Sequence, residues 1–166
     1  MGLSRVFIHG LESSSCGTKA TFFKKRYADM IVKDFHGTLG QRMGKLNALL
    51  SNNTSVIIVG SSFGGLMAAI FACENPRRVI KLILLAPALT FQDFEPYLHH
   101  RLGIPVTVYH GKKDDVISVA PVYDVARKVF ADLTFHTVDD DHVLKDTFPH
   151  IDWDTLLETG SAFRRA

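Results

Sequence analysis

Six short runs of apolar and β-branched residues divide the chain. They are Arg5–Gly10 (RVFIHG), Met30–Phe35, Ser55–Gly60 (SVIIVG), Val79–Pro87, Ile104–Gly111 and Leu133–Val138, and each has the length and composition of a strand. Between them lie longer stretches with helical spacing: roughly Lys19 to Ala28, Leu39 to Leu50, Ser62 to Glu74 and Val119 to Ala131, with a last one near Trp153 to Phe163. Strand alternating with helix predicts crossover units, and hence an α/β protein with a parallel sheet of about six strands covered by helices on both faces. Residues 88–102, ALTFQDFEPYLHHRL, show no clear period and are rich in aromatics, which suggests a small cap over the carboxyl edge of the sheet. Ligands of open sheets sit beyond the carboxyl ends of the strands, so chemistry is sought in the loops that leave those ends.

Length and composition narrow the classes. With 166 residues, 46% of them hydrophobic, the chain fits one domain over residues 1–166. Lys and Arg total 19 against 17 Asp and Glu, and the basic residues fall in small scattered groups such as Lys24-Lys25-Arg26 and Arg77-Arg78. A nucleic-acid partner would need them clustered on one face, so none is expected. Two cysteines, Cys16 and Cys73, form neither a disulfide framework nor a metal pattern. The N-terminus enters a strand at once without the apolar run of a signal peptide. The longest apolar stretch, around LILLAPAL, falls far short of the roughly 20 residues of a membrane span. A cytoplasmic protein with no membrane span is expected.

After the third strand the chain reads Gly60-Ser61-Ser62-Phe63-Gly64, which fits G-x-S-x-G only with Ser62 at the centre. That motif demands a sharp strand-to-helix turn with the serine hydroxyl projecting into the cleft. Gly60, Gly64 and Gly65 supply the small neighbours that converging backbones require. An acid and a histidine then come after the next strand ends in the order that motif anticipates: Asp114-Asp115 after IPVTVYHG, and His142 after LTFHTV within DDDH. A serine hydroxyl becomes a nucleophile when a neutral imidazole takes its proton, and a carboxylate holds that imidazole in the right tautomer.

These segments resemble the α/β-hydrolase superfamily, and within it the small, nearly lidless YqiA-type esterases. FIHGLESSSCGTKA is similar to their opening strand and loop, IIVGSSFGGLMAAIFA to their nucleophile elbow, and LAPAL to the next strand end. KDDVIS and DDDHVL are similar to their acid and histidine loops. The resemblance implies a single-domain α/β-hydrolase fold with a minimal lid, in which Ser62 is the nucleophile, Asp114 the acid and His142 the base. It also implies an oxyanion hole made by the backbone N–H groups of Leu11 and Phe63. Where the family usually carries glycine before its Asp-His pair, this chain has Asp140. The implied activity is hydrolysis of a small-molecule carboxylic ester or thioester through an acyl-serine intermediate, with no cofactor and no metal. A binding protein on the same fold, or a hydrolase of an amide or carbon–carbon bond, would carry the same motifs.

Other residues read more plainly. His136 lies within a strand, His9 and His110 stand at strand ends where they would brace turns, and His99-His100 are expected at the surface. Cys16 and Cys73 read as small core fillers. The aromatics of FQDFEPYL are expected to line an apolar acyl pocket.

Overall fold

The computed structural model describes residues 2–159. Its six strands are β1 (Leu3–Ile8), β2 (Met30–Val32), β3 (Ser55–Ser61), β4 (Val79–Leu85), β5 (Leu102–Gly111) and β6 (Phe130–Val138). They form one parallel sheet in the order β2-β1-β3-β4-β5-β6. The chain starts at β1, steps outward to β2, then returns past β1 to β3 and builds the other side. The direction of winding therefore reverses between β1 and β3, where a doubly wound sheet opens its ligand crevice.

The helices are α1 (Thr18–Arg26), α2 (Leu39–Leu49), α3 (Phe63–Glu74), α4 (Val119–Val129) and α5 (Trp153–Leu157). Alternate strand residues point to opposite faces, and both faces are covered. Val6, Ile8, Val56 and Ile58 pack with α2, α3 and α4. Phe7, Ile57 and Val59 pack with Phe23 of α1 and with Trp153 and Leu157 of α5. Every residue of α3 from Phe63 to Cys73 is buried, as befits a helix that is apolar all round. Helix α2 opens on a capping box. Thr38 Oγ1 accepts from Gln41 N–H at 3.3 Å, and Gln41 Oε1 accepts from Thr38 N–H at 2.9 Å.

Several boundaries differ from expectation for local reasons. Strand β2 stops at Val32 because Phe35 N–H leaves the ladder and donates to His9 Nε2 at 3.0 Å. Strand β5 begins earlier, at Leu102, and carries a register shift between Leu102 and Pro105, since Pro105 has no N–H for a regular ladder. Helix α5 ends at Leu157, sooner than expected, because Glu158 already takes an extended conformation; the remaining positions expected as helix, 160–163, lie outside the described residues. Among the described residues, no helix is long and apolar enough to cross a membrane.

The segment after β4 corrects the expected pocket. Residues Gln92–Tyr97 form a 3-10 helix that runs back along α3: Phe94 is fully buried in the core, and Tyr97 donates its hydroxyl to Glu74 Oε1 at 2.6 Å, at the far end of α3. Of these aromatics, Phe91 stays near the elbow, its ring 6.1 Å from that of Phe63. Cys73 is buried, and burial pushes its thiol up to about 12, whereas Cys16 is exposed on the loop before α1 and fills no core.

Candidate active site

Three glycines shape the turn between β3 and α3. A Cβ on Gly60 would drive into the backbone of Gly64 and Gly65, one on Gly64 into the Ile8 and His9 carbonyls, and one on Gly65 into Pro87. Strand, helix and the β1 loop therefore meet backbone to backbone. Ser62, at the apex, is held at φ 54° and ψ −116°, a region that L-residues avoid. Its peptide is pinned on both sides. The N–H donates to the Leu85 carbonyl at 2.8 Å, and the carbonyl accepts from Gly65 at 2.9 Å and Ala88 at 3.1 Å.

That conformation directs the hydroxyl toward His142, with Ser62 Oγ 3.0 Å from Nε2. On the other side of the ring, Nδ1 lies 2.7 Å from Asp114 Oδ2. A carboxylate can only accept, so Nδ1 carries the proton and Nε2 presents its lone pair to the serine. Ser61 makes no such approach and Asp115 is exposed, whereas the Asp114 side chain is fully buried. Asp114 Oδ1 accepts from the N–H groups of Val116 (2.9 Å) and Ile117 (2.7 Å). The geometry thus brings together Ser62, Asp114 and His142, one from each of the loops after β3, β5 and β6.

The β1 loop closes the near side. Gly10 faces Ser62 so closely that a Cβ there would lie 3.3 Å from Ser62 Cβ. His9, 1% exposed, fixes the loop: its Nδ1–H donates to the Gly10 carbonyl at 2.7 Å, and its Nε2 accepts from Phe35 N–H. Burial outweighs the Gly10 bond and lowers its pKa below the usual imidazole value. Among the described residues, the N–H groups of Leu11 and Phe63 donate to no protein acceptor; Phe63 follows Ser62 in the chain, and Leu11 follows the Gly10 that faces it.

Two supports of the site have no sequence signature. Asp140, 3% exposed, accepts from Asp141 N–H on Oδ1 (2.8 Å) and from Asp146 (3.1 Å) and Thr147 (2.7 Å) on Oδ2. Burial alone would raise its pKa, but these donors more than offset it and hold the carboxyl below the ordinary value. Where the resembled family carries glycine, this chain therefore has a charged cage under the histidine loop. Lys19 of α1 reaches across to donate to the Val143 carbonyl, next to His142. His136, expected as a sheet side chain, is exposed on β6 and stacks on Tyr109 at 4.5 Å. His99 is exposed as expected, and His100 is half-buried beside Tyr97.

Solved structures share this architecture. A protein from Agrobacterium vitis S4 superposes with a TM-score of 0.76 at 21% identity, over 93% of this chain and 85% of that one. The mouse alpha/beta hydrolase domain-containing protein 10 gives 0.73 at 22% identity, over 86% and 82%. A monoacylglycerol lipase from Paleococcus ferrophilus gives 0.71 at 13% identity, over 93% of each chain. The protein therefore has the α/β-hydrolase fold. A comparison with curated proteins finds none that matches. Residues 4–120, which carry β1, the Ser62 elbow and the Asp114 loop, match the model of the uncharacterised protein family UPF0227, and the chain belongs to that family.

Proposed function

We propose that the protein is a serine hydrolase that cleaves small carboxylic esters, thioesters being of the same class, through an acyl-serine intermediate. The observation that carries this reading is the continuous line from Ser62 Oγ through His142 to the buried Asp114, with contacts of 3.0 and 2.7 Å, at the reversal point of the sheet. The Paleococcus ferrophilus protein of the same fold is a monoacylglycerol lipase, in keeping with an ester bond.

In the proposed reaction, His142 Nε2 takes the hydroxyl proton as Ser62 Oγ attacks the ester carbonyl. The oxyanion that forms is assigned to the N–H groups of Leu11 and Phe63, which have no protein acceptor among the described residues and so are available to it. Collapse expels the alcohol or thiol, which leaves with the proton from His142. Water, deprotonated by the same nitrogen, then releases the acid and restores the serine. Asp114 stays ionised and steadies the imidazolium at Nδ1. Exposed Leu11 and Phe91 beside the elbow offer an apolar surface to the acyl chain.

A fluorophosphonate probe tests the reading, because it reacts with an activated serine. Wild type and Ser61→Ala are expected to be labelled and to hydrolyse 4-nitrophenyl acetate, and Ser62→Ala to do neither while unfolding cooperatively. Labelling that survives in Ser62→Ala overturns the assignment.

A further inference from the structure

His110, the penultimate residue of β5, is fully buried within reach of the site. Its Nε2 lies 2.8 Å from the Ile117 carbonyl and 3.1 Å from Asp114 Oδ2, the oxygen that also receives His142 Nδ1–H. Both neighbours are acceptors, so Nε2 must carry a proton. Nδ1, buried on the opposite edge, has no partner among the described residues, so it is bare and the ring is neutral. The N–H points at the Ile117 carbonyl, and the carboxylate oxygen lies off that axis, close to the positive end of the same dipole. On its flat face the ring stacks with Phe135 of β6 at 6.4 Å. A phenyl ring would fill this space without stranding a buried nitrogen; what the imidazole adds is the single N–H at Nε2.

We propose that His110 is a positioning residue for the Asp114–His142 pair. It ties down the carbonyl of Ile117, whose own N–H holds Asp114 Oδ1, and the positive end of its ring N–H dipole, at Nε2, lies 3.1 Å from Asp114 Oδ2. The loop thereby becomes a closed circuit: His110 to Ile117, Ile117 to Asp114, Asp114 back to His110. Rotation of the carboxylate away from His142 would take Oδ1 off the Ile117 N–H that His110 holds in place and Oδ2 out of its electrostatic contact with the ring. The second ring also draws electron density from Oδ2, so the acid holds the imidazolium of His142 less tightly than it otherwise would. Burial keeps His110 itself below the ordinary imidazole pKa, despite Asp114 and the Ile117 carbonyl acting the other way.

The remaining polar and charged groups around the pair are engaged elsewhere. Asp140 is turned to Asp141, Asp146 and Thr147, and Asp141 accepts from Val143 and Leu144. Asp139 pairs with Lys113, Lys19 is on the Val143 carbonyl, and Ser62 faces Nε2 of His142. His110 is thus the one ring besides His142 that lies against Asp114 Oδ2 among the described residues.

This inference rests on the serine-hydrolase reading, and the test separates the two. Ester hydrolysis is measured against pH for wild type, Ser62→Ala, His110→Phe and His110→Gln. Gln can place an amide N–H where Nε2 stood, whereas Phe cannot. His110→Phe is expected to lose at least about tenfold in kcat/KM and to move its acidic limb up by about half a pH unit, the scale of one neutral hydrogen bond. His110→Gln is expected to keep the wild-type limb and to stay within about threefold. A folded His110→Phe with the limb unmoved, or a Gln variant that shifts as Phe does, overturns the inference. If wild type and Ser62→Ala hydrolyse alike, the hydrolase reading fails instead. Nitrogen-15 spectra of the wild-type protein read the ring without any variant: at about pH 8 His110 should be the neutral Nε2–H tautomer, and an Nδ1–H tautomer there overturns the inference.

Discussion

Asp140→Asn removes one negative charge and almost no volume from beneath the histidine loop, so its effect isolates the charged cage. Three backbone N–H groups, of Asp141, Asp146 and Thr147, converge on the two carboxylate oxygens. An asparagine can offer one carbonyl oxygen, and its better orientation faces the Asp146–Thr147 pair. Those two bonds survive as neutral ones, each weaker by about 1 kcal/mol, while the amide NH2 meets the Asp141 N–H donor to donor and loses about 1–2 kcal/mol more. The expected destabilisation is about 3 kcal/mol, a fall in unfolding midpoint of about 6–12 °C at this chain length. The pH dependence is set by sign. The folded carboxyl titrates below its unfolded value of 3.8, so its contribution is complete above that value and is lost as pH falls through the folded one. The gap between wild type and Asp140→Asn should therefore be the same at pH 7 and pH 5 and shrink below about pH 4. Because His142 stands two residues on, ester hydrolysis should fall by about tenfold or more. Thermal and denaturant unfolding, with Asp139→Asn as an exposed control that leaves the midpoint in place, measure the stability effects, and steady-state kinetics the loss of activity. A variant as stable as wild type at neutral pH, or a gap constant down to pH 3, would show that the three donors contribute nothing as charge-assisted bonds.

Asp114→Asn should lower kcat by orders of magnitude, since the wrong imidazole tautomer costs serine proteases about 10⁴, while Asp115→Asn stays within about tenfold; steady-state kinetics on both variants decide it, and the reverse order would move the acid. Ser62→Gly should unfold at higher temperature than Ser62→Ala, by about 1 kcal/mol, because glycine adopts the strained φ without a Cβ; equal midpoints would mean that the elbow stores no strain. The neutral rings of His9 and His110 are harder to protonate folded than unfolded, so the unfolded chain binds more protons below about pH 6.5 and stability should fall as pH drops from 7 to 5, by up to about 1.4 kcal/mol per pH unit and ring. Denaturant titrations check this, and stability that rises on acidification would contradict it. Gly64→Ala should reduce both stability and fluorophosphonate labelling, since its Cβ would press on the carbonyls of Ile8 and His9 that lead to Leu11; a labelling rate equal to wild type would detach the β1 loop from the site.

Much of the fold and site was legible in the sequence where a residue type has one physical use. Adjacent serines were separable because glycines at 60 and 64 fix the register of the elbow, and the structure places Ser62 and not Ser61 beside His142. Strand and helix order came from periodicity, and the strand ends led to the loops in which Ser62, Asp114 and His142 come together. What escaped were contacts made by the main chain. The cage around Asp140 consists of peptide N–H groups, which any residue but proline supplies, so DDDH looks the same with or without it. His110 could be read as a turn brace, but its double contact depends on where the Ile117 carbonyl folds back. Phe94 and Tyr97 were misplaced because a 3-10 segment lacks the longer period that tells which side faces the core: Phe94 went inside and Tyr97 to the far end of α3.

Above the sheet, the loops form two packed bodies on either side of β4. Gly64 lies against the carbonyls of Ile8 and His9, and Gly10 against Ser62, which welds the β1 loop to the elbow. Gly111 lies against the carbonyls of Asp140 and Asp141, and Lys113 N–H bonds the Asp140 carbonyl at 3.0 Å, which welds the β5 loop to the β6 loop. In the proposed reaction the first body would carry the acyl group and its oxyanion, and the second would carry only protons. They engage through the 3.0 Å contact between Ser62 and His142, with Lys19 on the Val143 carbonyl as an outlying tie. Because proton transfer in the proposed reaction depends on that contact, a shift of about an ångström between the two bodies would slow it while leaving the bonds within each body in place.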